Sequence, residues 1–312
     1  MNLQALRDQF SEYHTVLEPD RDLPEWWAGA PSVCVDREGV FWMACRMREG
    51  DSPRGLRGYE IRLLRSADGL SFEPVHSILR EQVPIPGFER PALLYHRDTD
   101  SFSLFGCGPF DGGPWCILRF DDATEPTAFS PGSCRPVIRP QPRPEDPKLQ
   151  ANHVNGTKDP FVFRIGATWH CFVIAVDRVE RTAHLVSEDG EAWRPVGQGP
   201  ALDLGGWHSF FTRPASVLPI GPGYLLIYEG SHVSWFDPTY NVATGLAWTP
   251  DLLQFTDLTP HEPLFVSTTP GDYRTWRYSH WLWFGEALYV YAEVSRPNNS
   301  NEIRAWKLCR PF

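Results

Sequence analysis

The residues of this chain that could do chemistry are carboxylates set beside cations at the ends of short apolar runs. Glu89 precedes Arg90-Pro91, Asp159 stands between Lys158 and Pro160, and Glu229 follows the run Gly223 to Tyr228. Paired carboxyl groups at a pocket are what glycosidic cleavage needs. One protonates the leaving oxygen, the other acts as base or nucleophile, and their separation sets the stereochemistry. By position, Glu89 is the candidate general acid. Asp159 is the carboxylate that would tune it or orient a substrate, and Glu229 is the candidate for activating water. Arg46, Arg90, Lys158, Arg213 and His208 form a second constellation, able to bind phosphate or carboxylate through paired hydrogen bonds. A structural use competes with each of these. An Asp or Glu ahead of a strand can accept from backbone N–H groups, and Arg90 and Arg213 can simply pair with Glu89 or Glu229.

These residues recur at one place in a repeat. Gly156 to Ala175 reads as a polar cluster, a proline and two apolar runs around a Gly turn at Gly166-Ala167, the pattern of a β-hairpin. Ala30-Pro31, Glu89-Arg90-Pro91 and Arg213-Pro214 each open a similar hairpin, and Arg277-Tyr278-Ser279 opens a fifth without the proline. Proline is expected at the first residue of each strand, where its missing N–H costs no ladder bond. A second half follows some hairpins: Ser66-Ala67-Asp68-Gly69 and Ser187-Glu188-Asp189-Gly190 read as tight turns between two more strands. Repeats of this length with about four strands each predict an all-β chain, a five-bladed β-propeller, because such units cannot bury their faces singly.

The expected organisation is an N-terminal helix and lead-in over residues 1–25, then the propeller over 26–312. Its blades start near 31, 91, 160, 214 and 278. The helix is placed at 2–13, with Leu3, Leu6 and Phe10 on one face. A strand near Thr15-Val16-Leu17 could complete the last blade, and the proline-rich, charged segment 135–153 reads as a loop long enough to be a lid.

Blade topology then says which residues share a face. The loop entering an inner strand and the end of the second strand lie on the same side. Glu89, Arg90, Lys158, Asp159 and Arg213 are thereby expected at one mouth of the central channel. The second-strand ends Arg46, Asp177, Glu229, His232 and Glu293 join them. So do Trp26, Trp27, His153, Asn155, Trp207 and His208 of the entering loops. Trp27, Trp207, His208 and Glu293 are read with the cations as substrate contacts, the aromatics by stacking on sugar rings, although packing between blades is the commoner use of a Trp.

Composition narrows the partners. The net charge of −10 disfavours nucleic acid and anionic membrane. The seven cysteines are odd in number and lack a C-x-x-C pair, so neither a disulfide framework nor a zinc site is expected; no metal or cofactor is implied. No apolar run is long enough to span a membrane, and the amphipathic N-terminus lacks an apolar signal core. A cytoplasmic protein acting on a small-molecule or saccharide substrate is the expectation.

The repeat as a whole resembles the five-bladed β-propeller glycosidases, the group of glycoside hydrolase families 32, 43, 68, 117 and 130. A-P-S-V-C-V-D-R-E-G-V-F-W-M followed by R-S-A-D-G-L-S-F is similar to the first blade of family 43 and of the mannoside phosphorylases. F-E-R-P-A-L-L-Y-H is similar to an E-R-P motif of family 43 exo-galactanases, and the resemblance implies an acid role for Glu89. K-D-P-F-V-F resembles the third-blade Asp-Pro of family 43, implying that Asp159 tunes or orients. G-Y-L-L-I-Y-E-G is similar to a phosphorylase blade in which Glu229 replaces a His. The departures are equally specific. Ala30 stands where family 43 has its base, Arg213 where it has its acid, and Arg90 where the phosphorylases carry a catalytic Asp. The resemblance therefore implies a carbohydrate-active enzyme, first a hydrolase. A phosphorylase or an enzyme on an anionic sugar is the alternative, and a non-hydrolytic sugar- or small-molecule-binding propeller, or one recruited to other small-molecule chemistry, is a third.

Overall fold

The computed structural model of the 312-residue chain describes residues 2–140, 155–177, 179–197 and 199–309, with Asn155 and Asp177 described for backbone alone. Helix α1 is shorter than expected, Leu3–Asp8, with Asn2 accepting from the Ala5 N–H at its start. The remainder is β-structure. The first sheet run holds β2 (Trp27–Val35), β3 (Phe41–Arg48), β4 (Gly58–Ser66) and β5 (Glu73–Leu79), while β1 (His14–Leu17) lies elsewhere. The next sheet is β6 (Ala92–His96), β7 (Ser101–Pro109), β8 (Trp115–Arg119) and β9 (Arg135–Ile138). A third comprises β10 (Asn155–Ile165), β11 (Thr168–Asp177), β12 (Val179–Ser187) and β13 (Arg194–Pro195). The fourth comprises β14 (Phe211–Ile220), β15 (Gly223–Ser231), β16 (Ala243–Thr249) and β17 (Thr256–Asp257).

The last strands are β18 (Trp276–Phe284), β19 (Ala287–Ser295) and β20 (Asn301–Cys309). As the sequence suggests, β1 pairs with β20 and supplies a fourth strand here. One parallel pair, Trp27 with Asn301, joins this run to β2, so the two runs form one eight-stranded sheet. Apolar clusters lie between each run and the next. Leu93 and Leu104 pack with Ile61 and Leu63, Cys171 with Ile117, Leu226 with Phe172, and Trp281 with Leu218. Tyr289 and Ile303 pack against Phe41 and Met43, which brings the last run back against the first.

Two sequence expectations are corrected. Segment 135–153 is not all loop, because Arg135–Ile138 pairs with β8; His153 and the rest of that segment from 141 lie outside the described residues. Pro31, Pro160 and Pro214 sit inside β2, β10 and β14 rather than at their first residues. Pro31 and Pro160 fall within breaks in the ladder, Gly29/Ser32 and Lys158/Phe161, and Pro214 borders the break Pro214/Ser216. A bulge leaves a residue unpaired, so a missing N–H is tolerated there too. Arg277/His280 is the matching break in β18. At three of these bulges the chain is left-handed at a non-glycine residue: Ala30 (φ 53°), Asp159 (φ 53°) and Tyr278 (φ 54°). That conformation is costly for L side chains and needs surrounding structure to hold it.

The tight turns are built as their residues dictate. Asp68 Oδ1 accepts from the N–H groups of Leu70 and Ser71, both at 2.8 Å, and Asp189 does the same for Glu191 and Ala192. Gly69 and Gly190 supply the left-handed residue (φ 74° and 75°). A third copy uses Asp251, with Leu252 at φ 63° in place of glycine.

Candidate active site

The bulges deliver side chains to a pocket of about 1210 Å³. Of the predicted site residues, Glu89, Lys158, Asp159 and Arg213 line it. Glu180, Tyr278, Arg277, Arg48, Arg54 and Tyr240 line it as well, and none of these was singled out as a site residue by the sequence reading. Trp115, Val179, Phe210, Phe211 and Val233 form its apolar part.

Glu89 comes just before β6, its N–H held by the Cys107 carbonyl at 3.0 Å, and its side chain is 14% exposed. It pairs with Arg46 of β3, which is fully buried. The other terminal nitrogen of Arg46 reaches Glu293 Oε2 at 3.1 Å. Glu293 also takes Arg277 at 2.9 Å, the Asn301 side chain at 2.6 Å and the Ala30 N–H at 3.0 Å. Burial raises the Glu293 carboxyl, but Arg277 and Arg46 outweigh it and hold the group below its ordinary range. Gly29 makes room for this cluster, since a Cβ there would lie 1.8 Å from Glu293 Oε2.

Asp159 is held differently. Its Oδ2 accepts from the Tyr278 hydroxyl at 2.9 Å, and its Oδ1 accepts from the Arg90 N–H at 3.3 Å. Burial, then the charge of Asp159, pushes the Tyr278 hydroxyl well above its ordinary value, so it stays a proton donor in this bond. Beside it, Glu180 at the start of β12 takes both Lys158, at 2.8 Å, and Arg213. Burial would raise Glu180, yet Arg213 and Lys158 hold it at about 2. Arg213 also lies over the Phe211 ring at 3.7 Å.

The other predicted contacts are not part of the pocket lining. Glu229 is fully buried, its Oε1 accepting from the Tyr278 N–H and its Oε2 without a partner. Burial pushes its carboxyl up to about 7, against Arg213, the Tyr278 N–H, Arg90 and Arg277. Its ladder partner is Arg213, whose side chain reaches the pocket while that of Glu229 lies beneath. As placed, Glu229 is not set to activate water in the pocket. Arg90 is fully buried and donates to the carbonyls of Pro214, at 3.1 Å, and Ala215, so it ties β14 to the lead into β6. The expectation that it faces the mouth is corrected by this use. Arg46 and Glu293 act from behind Glu89 as described. Trp27 packs under Arg48, 3.7 Å from its guanidinium, and against Tyr240. Trp207 stacks on Tyr228 and donates to the Thr259 carbonyl at 2.6 Å; His208 contacts Asp257 at 3.1 Å. Both are drawn into a packed network around Asp257, leaving Ser209, Phe210 and Phe211 to line the pocket.

What remains in reach of a bound molecule is two carboxylates of different surroundings, Glu89 on a shared arginine and Asp159 on a tyrosine hydroxyl, with an ion-paired third, Glu180. Cations stand close by, and an apolar rim completes the pocket. Such an arrangement can bind a polyhydroxylated ring and move a proton at it. Among the described residues, no group of three His, Cys, Asp or Glu side chains is placed to hold a metal ion.

No family model matches the chain, and no curated protein sequence matches it. Solved structures do. A glycosyl hydrolase from Bacteroides ovatus superposes with TM-score 0.71 at 13% identity, covering 96% of this chain and 94% of that one. The β-1,2-mannobiose phosphorylase from Listeria innocua, in complex with β-1,2-mannobiose, gives 0.66 at 12% identity, covering 95% and 94%. A structure described under the GH130 family of mannoside phosphorylases, which contains glycoside hydrolases targeting β-1,2 mannosidic linkages in Candida mannan, gives 0.67 at 14% identity, covering 96% and 95%. The chain has the all-β propeller fold of these glycoside hydrolase-like proteins.

Proposed function

We propose that this chain is a carbohydrate-active enzyme that hydrolyses a small saccharide or glycoside in the pocket of Glu89 and Asp159. The observation that carries the reading is that these two carboxylates, from the openings of successive strand groups, line one pocket with an apolar rim. In this reading Glu89 is the general acid. It pairs with Arg46, which is shared with Glu293. Asp159, held in place by the Tyr278 hydroxyl, is the carboxylate that orients the substrate in the same pocket. The five runs of strands would be the blades of one propeller domain spanning 26–312. The seven free thiols fit a reducing, cytoplasmic setting.

Phosphorolysis is the second reading. It is favoured by Lys158, Arg213, Arg277, Arg48 and Arg54, cations that outnumber the pocket's carboxylates. One experiment addresses both. Purified protein is incubated with a broad panel of aryl glycosides and oligosaccharides, with and without phosphate. Sugar release that is lost in Glu89→Gln supports hydrolysis; release that requires phosphate moves the reading to a phosphorylase. No release from any member, in either condition, overturns both.

A further inference from the structure

Arg48, at the end of β3, lines the pocket while almost wholly buried. The other cations of the lining each have a carboxylate. Lys158 and Arg213 share Glu180, Arg277 has Glu293, and Arg54 reaches Asp237 at 3.2 Å and Glu25 at 3.7 Å. Among the described residues Arg48 has no ion pair. Its one hydrogen bond runs to the Tyr240 hydroxyl at 2.8 Å, and its Nε is buried without a partner. Its guanidinium carbon lies 3.7 Å from the centre of the Trp27 ring. Burial, with Arg46 and Arg277 nearby, lowers its pKa to about 10, so it still carries its charge at neutral pH.

A buried guanidinium without a counter-ion is costly, and a neutral phenol does not neutralise it. A neutral residue would fill the space over Trp27 at less expense. Arginine there is explained by a charge that arrives with the ligand. A planar guanidinium fork matches two oxygens of a carboxylate or phosphate.

We infer that Arg48, with Tyr240 beside it, is an anion-binding subsite of the pocket, taking a carboxylate or phosphate group. The natural carrier is the saccharide itself, a uronic acid or sugar phosphate, which makes the preferred substrate class anionic. Free phosphate is the other source of the same chemistry. The inference rests on the saccharide reading of the pocket for its carrier, but not for the anion subsite.

The test is calorimetric titration at low salt with matched probes: glucose, glucuronate and glucose 6-phosphate; galactose and galacturonate; and inorganic phosphate alone. At least one anion is expected to bind about tenfold tighter than its neutral parent, the usual size of a charge-assisted contact. Arg48→Met, which keeps an apolar stem over Trp27, should erase that preference, and a Tm measured alongside checks that the variant is folded despite losing the Tyr240 hydrogen bond. Arg48→Lys, a second folded variant with charge but no fork, should keep binding and lose several-fold of the preference. Arg48-dependent binding of inorganic phosphate, with no gain for the anionic sugars, also supports the subsite and assigns its source as free phosphate. The inference is overturned if no anion binds better than a neutral sugar, or if the preference survives in Arg48→Met. Turnover on the glycoside panel is scored separately. Anion binding without turnover removes the hydrolase reading and keeps the subsite, whereas turnover indifferent to Arg48 and to ligand charge does the reverse.

Discussion

The Tyr278 hydroxyl donates to Asp159 Oδ2 at 2.9 Å, and both residues occupy left-handed bulge positions at the openings of inner strands. The contact joins β10 to β18, strands that are far apart in sequence. Each residue is held in a strained backbone conformation whose result is this meeting. Removing the hydroxyl should leave a buried carboxylate oxygen short of a donor, at a cost of about 1–3 kcal/mol. Urea unfolding of Tyr278→Phe measures it, and an unchanged midpoint would mean that the bond contributes nothing.

Glu229 carries a distinct pH signature. Its folded pKa of about 7 lies above the ordinary carboxyl value of 4.5, so the folded state binds the extra proton between those values. Stability contributed this way is present in full below about pH 4.5 and is lost as pH rises toward 7, with a slope of at most about 1.4 kcal/mol per pH unit for one proton. Glu229→Gln should flatten that part of the stability–pH curve. Parallel curves for variant and wild type between pH 5 and 7 would remove the raised group.

Glu180 has the opposite sign. Its carboxyl is held at about 2 by Arg213 and Lys158, against burial. Its stabilisation is therefore present above the unfolded value near 4.5 and disappears as pH falls toward 2. Glu180→Gln leaves two partly buried cations unpaired. With the pair one-fifth exposed, the loss should be about 2 kcal/mol at pH 7, below the range for a fully buried pair. Chemical denaturation at pH 7 and at pH 3 checks it: the deficit should shrink in acid, and a deficit that stays constant would rule out the ionic origin.

How far the site could be read from sequence follows from where its information lies. The turns at Asp68 and Asp189 are local hydrogen-bond motifs, so Ser-x-Asp-Gly announces them directly. Prolines mark four of the openings, and Lys158, Asp159, Glu89 and Arg213, which line the pocket, stand beside those marks. Depth was not legible. Glu229 and Glu293 end their second strands as expected, but their ladder partners are Arg213 and Arg277, and both carboxylates are buried instead of lining the pocket. Glu180 was missed because it begins a third strand, whose end returns to the mouth only through the pairing of β11 with β12. Tyr278 marked the fifth opening but not chemistry. Its hydrogen bond to Asp159, made from the bulge at Arg277/His280, is a long-range contact that no local pattern announces. A sign was available for Gly29, next to Ala30: glycine at a bulge signals the close approach of another group, here the Glu293 carboxyl.

The central claim is that Glu89 protonates a leaving oxygen, and the leaving-group dependence of Glu89→Gln tests it most directly. Wild type and variant are compared on aryl glycosides of one sugar whose phenols span poor to good leaving groups. For poor leaving groups the variant should lose about 10²–10⁴-fold in rate, the range of a general-acid contribution. For good ones, which need little protonation, the loss should shrink toward none. An equal loss across the series would contradict the acid role of Glu89, and no loss on any substrate would remove it from the reaction.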